Sequence, residues 1–118
     1  MSREKIVEES LGSEDKIQKS YGGRLDGVYG ILSMSNRKLL FITEKGIFRK
    51  SYNLVLDLPY EEIDSVRTEG NYNLIIEGQS DETKDSVGLD HTFMSDTLIS
   101  KVEEVLRELM EQEPSQDI

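Results

Sequence analysis

Residues 28–58, VYGILSMSNRKLLFITEKGIFRKSYNLVLDL, are the stretch whose reading decides the fold. Two apolar runs, VYGILSMS (28–35) and RKLLFIT (37–43), flank the polar pair Ser35-Asn36. TEKG supplies the next turn, with Gly46 free to take positive φ. YNLVLDL then alternates: Tyr52, Leu54, Leu56 and Leu58 face one way, and Asn53, Val55 and Asp57 the other. Short apolar runs joined by tight turns predict sequential antiparallel strands between Val28 and Leu58. The same stretch concentrates charge. From Ile31 to Ser51 it holds Arg37, Lys38, Lys45, Arg49 and Lys50 against Glu44 alone. That is a local charge of +4, leaving −14 on the rest of a chain whose total is −10.

Working outward, residues 2–11 read as a short helix. Ser2 can cap it, Glu4 suits its first turn, Ile6, Val7 and Leu11 share one side, and Gly12 breaks it. KIQKSYGG puts Ile17, Lys19 and Tyr21 on one side at period two, a first strand, although a helix fits the same residues. YGGRLDG then reads as the first loop. EEIDSVRT is a strand around Ile63 and Val66, EGNYN a hairpin turn, and NYNLIIEG a strand with Tyr72, Leu74 and Ile76 on one face. A polar loop, GQSDETKD, leads to a last strand with Val87 and Leu89 on one side.

From about residue 92 to 112 the period changes to that of a helix. Leu98, Val102, Val105 and Leu109 recur at helical spacing, widened by Ile99, Leu106 and Met110. Thr92 or Ser95 can cap this helix, and Glu103–Arg107 and Arg107–Glu111 are i,i+4 pairs. The expected fold is therefore mainly β (α+β): a short N-terminal helix, about seven strands curling into a bent antiparallel barrel, and a C-terminal amphipathic helix capping it. One domain is expected over residues 1–112, with the barrel at about 15–90 and a flexible tail at 113–118.

Composition narrows the function classes. The 118 residues contain no cysteine, which removes disulfides and thiol chemistry and favours a reducing compartment. No apolar run approaches the roughly 18 residues of a membrane span, and the N-terminus lacks the apolar core of a signal peptide. These features point to a cytoplasmic protein. A charge of −10, with no basic stripe or aromatic platform, argues against nucleic acid as a partner.

At this point GVYGILSMSNRKLLFI and LDLPYEEIDSV resemble the pleckstrin-homology-like superfamily, above all the GRAM domain and the bacterial and archaeal PH-like domains. Ser35, Asn36, Arg37, Lys38, Leu39, Leu40 and Phe41 match a TNKRLLF-like turn and strand. Leu58, Pro59, Ile63 and Val66 match an apolar–Pro–x–x–x–Ile–x–x–Val segment. Ser35 stands where threonine is usual and Lys38 where arginine is usual; lysine cannot make arginine's planar bidentate contact. The resemblance covers about residues 15–110. It implies a strongly bent seven-stranded antiparallel sheet closed at one end by the C-terminal helix, with lipid, peptide or protein ligands across the family.

The residues that could bind a ligand at the rim are Arg24, Arg37, Lys38, Lys45, Arg49 and Lys50. The first loop offers Arg24 but also Asp26, short of the density of bases that a strong phosphoinositide site needs. The leading expectation is thus a non-enzymatic PH-like binding module for an unknown protein or peptide partner. The alternative is a peripheral membrane domain making a weak anionic-lipid contact through those six bases. Ile99, Leu106 and Met110 would seal a homo-oligomer if the helix's apolar arc exceeded what the barrel covers. No catalytic residue, metal site or cofactor is expected. Asp81, Glu82, Asp85, Asp90 and His91 lack the spacing of a calcium loop, His91 stands alone, and YGGRLDG lacks the Lys-Ser/Thr of a P-loop.

Overall fold

A computed structural model describes residues 2–12, 14–79 and 88–111; at residues 79 and 88–91 the backbone alone is described. The expected alternation resolves into α1 (Arg3–Ser10), β1 (Ile17–Leu25), β2 (Val28–Ser35), β3 (Lys38–Lys45), β4 (Ser51–Pro59), a 3-10 turn (Tyr60–Glu62), β5 (Ile63–Glu69), β6 (Asn73–Gln79), β7 (Gly88–Ser95) and α2 (Ile99–Glu111). All seven strands form one antiparallel sheet in the order β4-β3-β2-β1-β7-β6-β5. It curls into a half-barrel, and β4 and β5 are its free edges. The protein is mainly β, with the short N-terminal and longer C-terminal helices expected from the sequence.

Two cross-strand glycines let the sheet bend. Gly23 and Gly30 are paired on the inner face of β1 and β2. A Cβ on Gly23 would lie 2.1 Å from the Met94 carbonyl oxygen and 2.8 Å from the Phe93 ring. One on Gly30 would lie 2.3 Å from the Ile42 carbonyl oxygen and 2.6 Å from the Phe41 ring. The space they leave is filled by Phe41 and Phe93, both fully buried, which meet edge to face with centroids 5.6 Å apart. Breaks in register in the β3–β4 and β5–β6 pairings, at Phe41/Ile42 and Ile63/Ser65, add local twist.

Several boundaries differ from the sequence expectation. β1 is a strand throughout and runs through Tyr21, Gly22, Gly23, Arg24 and Leu25, so YGGRLDG is not a loop. Asp26 and Gly27 alone, both at positive φ, make the turn. The crowded inner face requires a residue without a side chain at position 23, so that glycine extends the strand instead of ending it. β7 continues to Ser95, and Phe93 is core; α2 therefore begins at Ile99, not near residue 92. Thr92 is a strand residue, and the Ser95 hydroxyl accepts from the Thr97 N–H in the turn before the helix, so neither caps its first turn. Along β4, Leu56 and Leu58 are buried, but Leu54 and Val55 are exposed because the register shift opposite Phe41 and Ile42 interrupts the alternation. Tyr72 lies exposed in the β5–β6 turn, away from Leu74 and Ile76.

α2 lies against the inner face. Ile99, Val102, Leu106 and Leu109 are buried in the same core as Phe41, Leu58 and Leu74, while Val105 and Met110 pack at its margin. Leu98, expected in the stripe, is exposed. Ile99 and Leu106 are thus spent on the sheet and are not at the surface for a second copy to meet; Met110 is half-buried. Glu103 and Arg107 pair at 2.8 Å as the spacing predicts, and Arg107 also donates to the Val66 carbonyl. The helix start is tied to the β5–β6 turn by the Ile99 N–H, which donates to the Asn71 carbonyl at 2.9 Å.

α1 is capped by Ser2, whose hydroxyl accepts from the Lys5 N–H at 3.2 Å. It crosses the outside of the sheet beside β4, the side on which Leu40 and Ile42 are also fully buried. The SNRK turn between β2 and β3 is held by a buried polar network. The Ser35 hydroxyl donates to Asp15 Oδ2 at 2.7 Å and accepts from the N–H groups of Arg37 (3.1 Å) and Lys38 (2.9 Å). Asp15 Oδ1 accepts from the Asn36 N–H, and the Tyr60 hydroxyl donates to the Ser35 carbonyl at 2.6 Å. The hydroxyl at position 35 thus serves the fold.

Candidate functional site

Antiparallel order sends the β1–β2 and β3–β4 connections to one end of the half-barrel. The β2–β3 connection lies at the other, beside the β4–β5 turn, where the Tyr60 N–H donates to the Arg37 carbonyl at 2.9 Å. This splits the basic island. Arg37 and Lys38 lie at that end, at the start of β3. Lys45, Arg49 and Lys50 lie at the opposite, open end. Lys38 and Lys45 bound the eight-residue β3 and are separated by about 24 Å of strand. The five bases do not form one patch.

Their commitments differ as well. Lys38 Nζ donates to the Ser10 carbonyl at the end of α1 at 2.9 Å and pairs with Asp57 at 3.0 Å. It fastens α1 to the sheet. Lys50 pairs with Glu44 at 2.7 Å, and the hydrogen bond from Lys50 to that carboxylate raises the lysine's pKa. Arg37 sits in the turn, its backbone engaged by Ser35 and Tyr60 and its side chain exposed. Lys45, Arg49 and Arg24 are exposed, and among the described residues they have no acidic partner within 4 Å. Lys45 ends β3, and residues 46–50 form the loop to β4.

Arg24 faces outward, and the register surrounds it. Its cross-strand neighbours are Tyr29 on β2 and Met94 on β7. On β3, Glu44 follows Thr43, the partner of Gly30, and pairs in turn with Tyr52 on β4. Tyr29 (42% exposed), Met94 (47%) and Tyr72 (47%) put large apolar groups in water around this one arginine. The Tyr29 ring leans over Gly22, where a Cβ would lie 3.1 Å from the tyrosine hydroxyl and 3.3 Å from Asp96 Oδ2. Arg24, Tyr72, Met94, Ser95 and Asp96 line a shallow hollow beside the row. Tyr, Met and Arg are the types enriched where proteins meet.

The open end itself holds a concavity of about 310 Å³ lined by Leu25, Asp26, Val28, Thr43, Lys45, Asn53 and Val55. Above it the β3–β4 loop carries Ile47 (85% exposed) and Phe48 (100% exposed). The sequence reading singled out Arg24 but none of the apolar groups beside it. It placed Tyr72 on one face with Leu74 and Ile76. The visible signal was KGIFRK: two large apolar residues between a glycine and two bases, with no alternation to continue them.

Asp81, Glu82 and Asp85 lie outside the described residues, as does the tail at 113–118; Val87 does too. Among the described residues no three His, Cys, Asp or Glu side chains gather as a metal site. Among the same residues no helix is long and apolar enough to cross a membrane.

No family model and no curated protein matches the chain. Among solved structures, it is similar to the crystal structure of the C-terminal domain of an unknown protein from Leishmania infantum. The two share 9% identity and a TM-score of 0.58, over 93% of this chain and 100% of that one. A likeness at that identity concerns the fold.

Proposed function

We propose that this chain is a non-enzymatic binding module of the pleckstrin-homology-like type, working in the cytoplasm on a protein or peptide partner. The curled seven-stranded sheet with its C-terminal helix agrees with what the SNRKLLF and LDLPYEEIDSV motifs imply, and the absence of cysteine suits a reducing compartment. The observation that carries the reading is the outward row around Arg24. This arginine, without an acidic partner within 4 Å among the described residues, stands between Tyr29 and Met94, with Tyr72 close by. Rigid aromatic groups around a single cation suit a segment that brings an apolar anchor next to a carboxylate. A protein partner is favoured over a purely electrostatic one because the six bases first considered are divided between the two ends and two of them are already paired.

The test is capture of partners from the chain's own cytosol by the wild-type protein and by Arg24→Glu/Tyr29→Ser. Both positions are exposed, so the variant keeps its fold. Loss of a discrete set of partners in the variant supports the reading. Equal recovery by both proteins removes the row as the binding surface.

A further inference from the structure

The two free edges of the sheet are not alike. β5 is shielded: its exposed positions include Asp64, Arg67 and Glu69, α2 packs against it, and the Arg107 guanidinium donates to the Val66 carbonyl. β4 carries no such protection. Residues 51–56 are all uncharged, and proline enters only at position 59. Leu54 and Val55 stand in water at the middle of the strand, 36% and 48% exposed. The break in register there bends the strand but brings no charge to it. Among the described residues, no backbone group of 51–58 bonds to backbone outside the sheet, so the outer N–H and C=O groups of this edge are open to another strand. Charge also gives the edge a direction. Its start is basic, with Lys45, Arg49 and Lys50, and its end is acidic, with Asp57, Glu61 and Glu62. Arg49, Glu61 and Glu62 are exposed and have no oppositely charged partner within 4 Å among the described residues. Such a strand attracts a second copy of itself laid antiparallel and repels one laid parallel.

We propose that β4 pairs antiparallel with β4 of a second copy, joining two seven-stranded sheets into one across a two-fold axis near Leu54. The open edge groups find partners, and Leu54 and Val55 leave water. Residues 48 and 60 lie equally far from Leu54 in sequence, so the loop of one copy comes level with the 3-10 turn of the other. Phe48, wholly exposed in one chain, gains the half-buried Pro59 and Tyr60 of the second as cover. Arg49 gains the unpaired acids of that turn. The axis stands perpendicular to the sheet, which keeps both outer faces, and so both Arg24 rows, on one side. α2 takes no part, so this contact is distinct from the one expected through Ile99, Leu106 and Met110.

Sedimentation equilibrium of the full chain over a range of concentrations tests this. The expected result is a mass that rises from 13.5 kDa toward twice that value. Val55→Lys sets a charge in the middle of the edge and raises the dissociation constant by about tenfold or more. Lys45→Glu/Arg49→Glu turns attraction at both ends into repulsion and weakens the dimer similarly. Adding Glu61→Lys/Glu62→Lys to that variant reverses both signs and restores the dimer. The chain has no cysteine, so Leu54→Cys places a single thiol at the axis. Mild oxidation is expected to link two copies there, and to link far fewer through Glu108→Cys on the exposed side of α2. All these positions are exposed, so circular dichroism of each variant matches the wild type. The proposal is overturned if the wild type stays at 13.5 kDa up to about 1 mM. It is equally overturned if the dimer survives Val55→Lys undiminished, if the charge-swapped variant fails to recover, or if the two thiols link with equal yield. None of these outcomes bears on partner capture through Arg24 and Tyr29, which a single copy can perform.

Discussion

Ser35→Ala tests whether the SNRK turn is held by its hydroxyl. The Ser35 side chain is fully buried; its hydroxyl donates to Asp15 Oδ2 at 2.7 Å, lies 3.2 Å from the Lys38 carbonyl, and accepts from the Arg37 and Lys38 N–H groups at 3.1 and 2.9 Å. Losing the donor to a buried carboxylate costs about 1.5–3 kcal/mol, and each abandoned N–H about 1 kcal/mol. Alanine brings no cavity of note, so the expected loss is about 3–5 kcal/mol, a large share of the ~5–15 kcal/mol that holds a domain together. At roughly 4 °C per kcal/mol the Tm falls by about 12–20 °C. Ser35→Thr keeps the hydroxyl and adds one methyl group at a fully buried site, for a loss of no more than about 1–2 kcal/mol. Urea unfolding followed by circular dichroism reads both variants as midpoint shifts at constant slope. An alanine variant within about 1 kcal/mol of wild type would refute the reasoning, as would a threonine variant no more stable than alanine.

Three further outcomes are expected. Gly30→Ala drives a Cβ to 2.3 Å from the Ile42 carbonyl oxygen and is expected to cost more than about 3 kcal/mol; a wild-type Tm would show that the bend does not need the glycine pair. Burial, and then the nearby Asp15 carboxylate, push the Tyr60 pKa up, so its neutral form stabilises the fold fully below the unfolded value of about 10 and loses that contribution as pH rises beyond it. Stability measured by urea unfolding therefore declines in the alkaline range, and Tyr60→Phe makes the decline shallower; an unchanged slope would mean that Tyr60 is not the group responsible. Lys38→Ala leaves the Ser10 carbonyl and Asp57 without their shared partner, so α1 amides exchange hydrogen faster while global unfolding shifts by only about 1–2 kcal/mol. Unchanged α1 exchange would show that the lysine does not fasten the helix.

The strands from Val28 to Leu58 were legible because period-two alternation and turn residues agree there. α1 was legible because Ser2 caps it and Gly12 follows it. Misreadings fell where one residue type serves two ends. Gly22 and Gly23 look like a turn, yet the second is a strand glycine that makes room for Phe93. Thr92 and Ser95 are good helix caps, yet they flank Phe93, whose burial keeps the chain extended. The α2 stripe was read one residue out at its start, exposing Leu98 and burying Ile99. The site was harder. The five bases looked like one island because sequence distance hides the length of β3. Arg24, Tyr29 and Met94 become neighbours only through the β1–β2 and β1–β7 registers, which no local pattern encodes.

The most direct test of the proposed binding face is site-specific crosslinking in the chain's own cell, with a photoreactive phenylalanine analogue replacing Tyr29 and, as a control on the exposed side of α2, Glu108. The account predicts a discrete protein adduct from position 29 and none from position 108. Adducts of the same pattern from both positions, or none from position 29 in a well-expressed, folded protein, would contradict it.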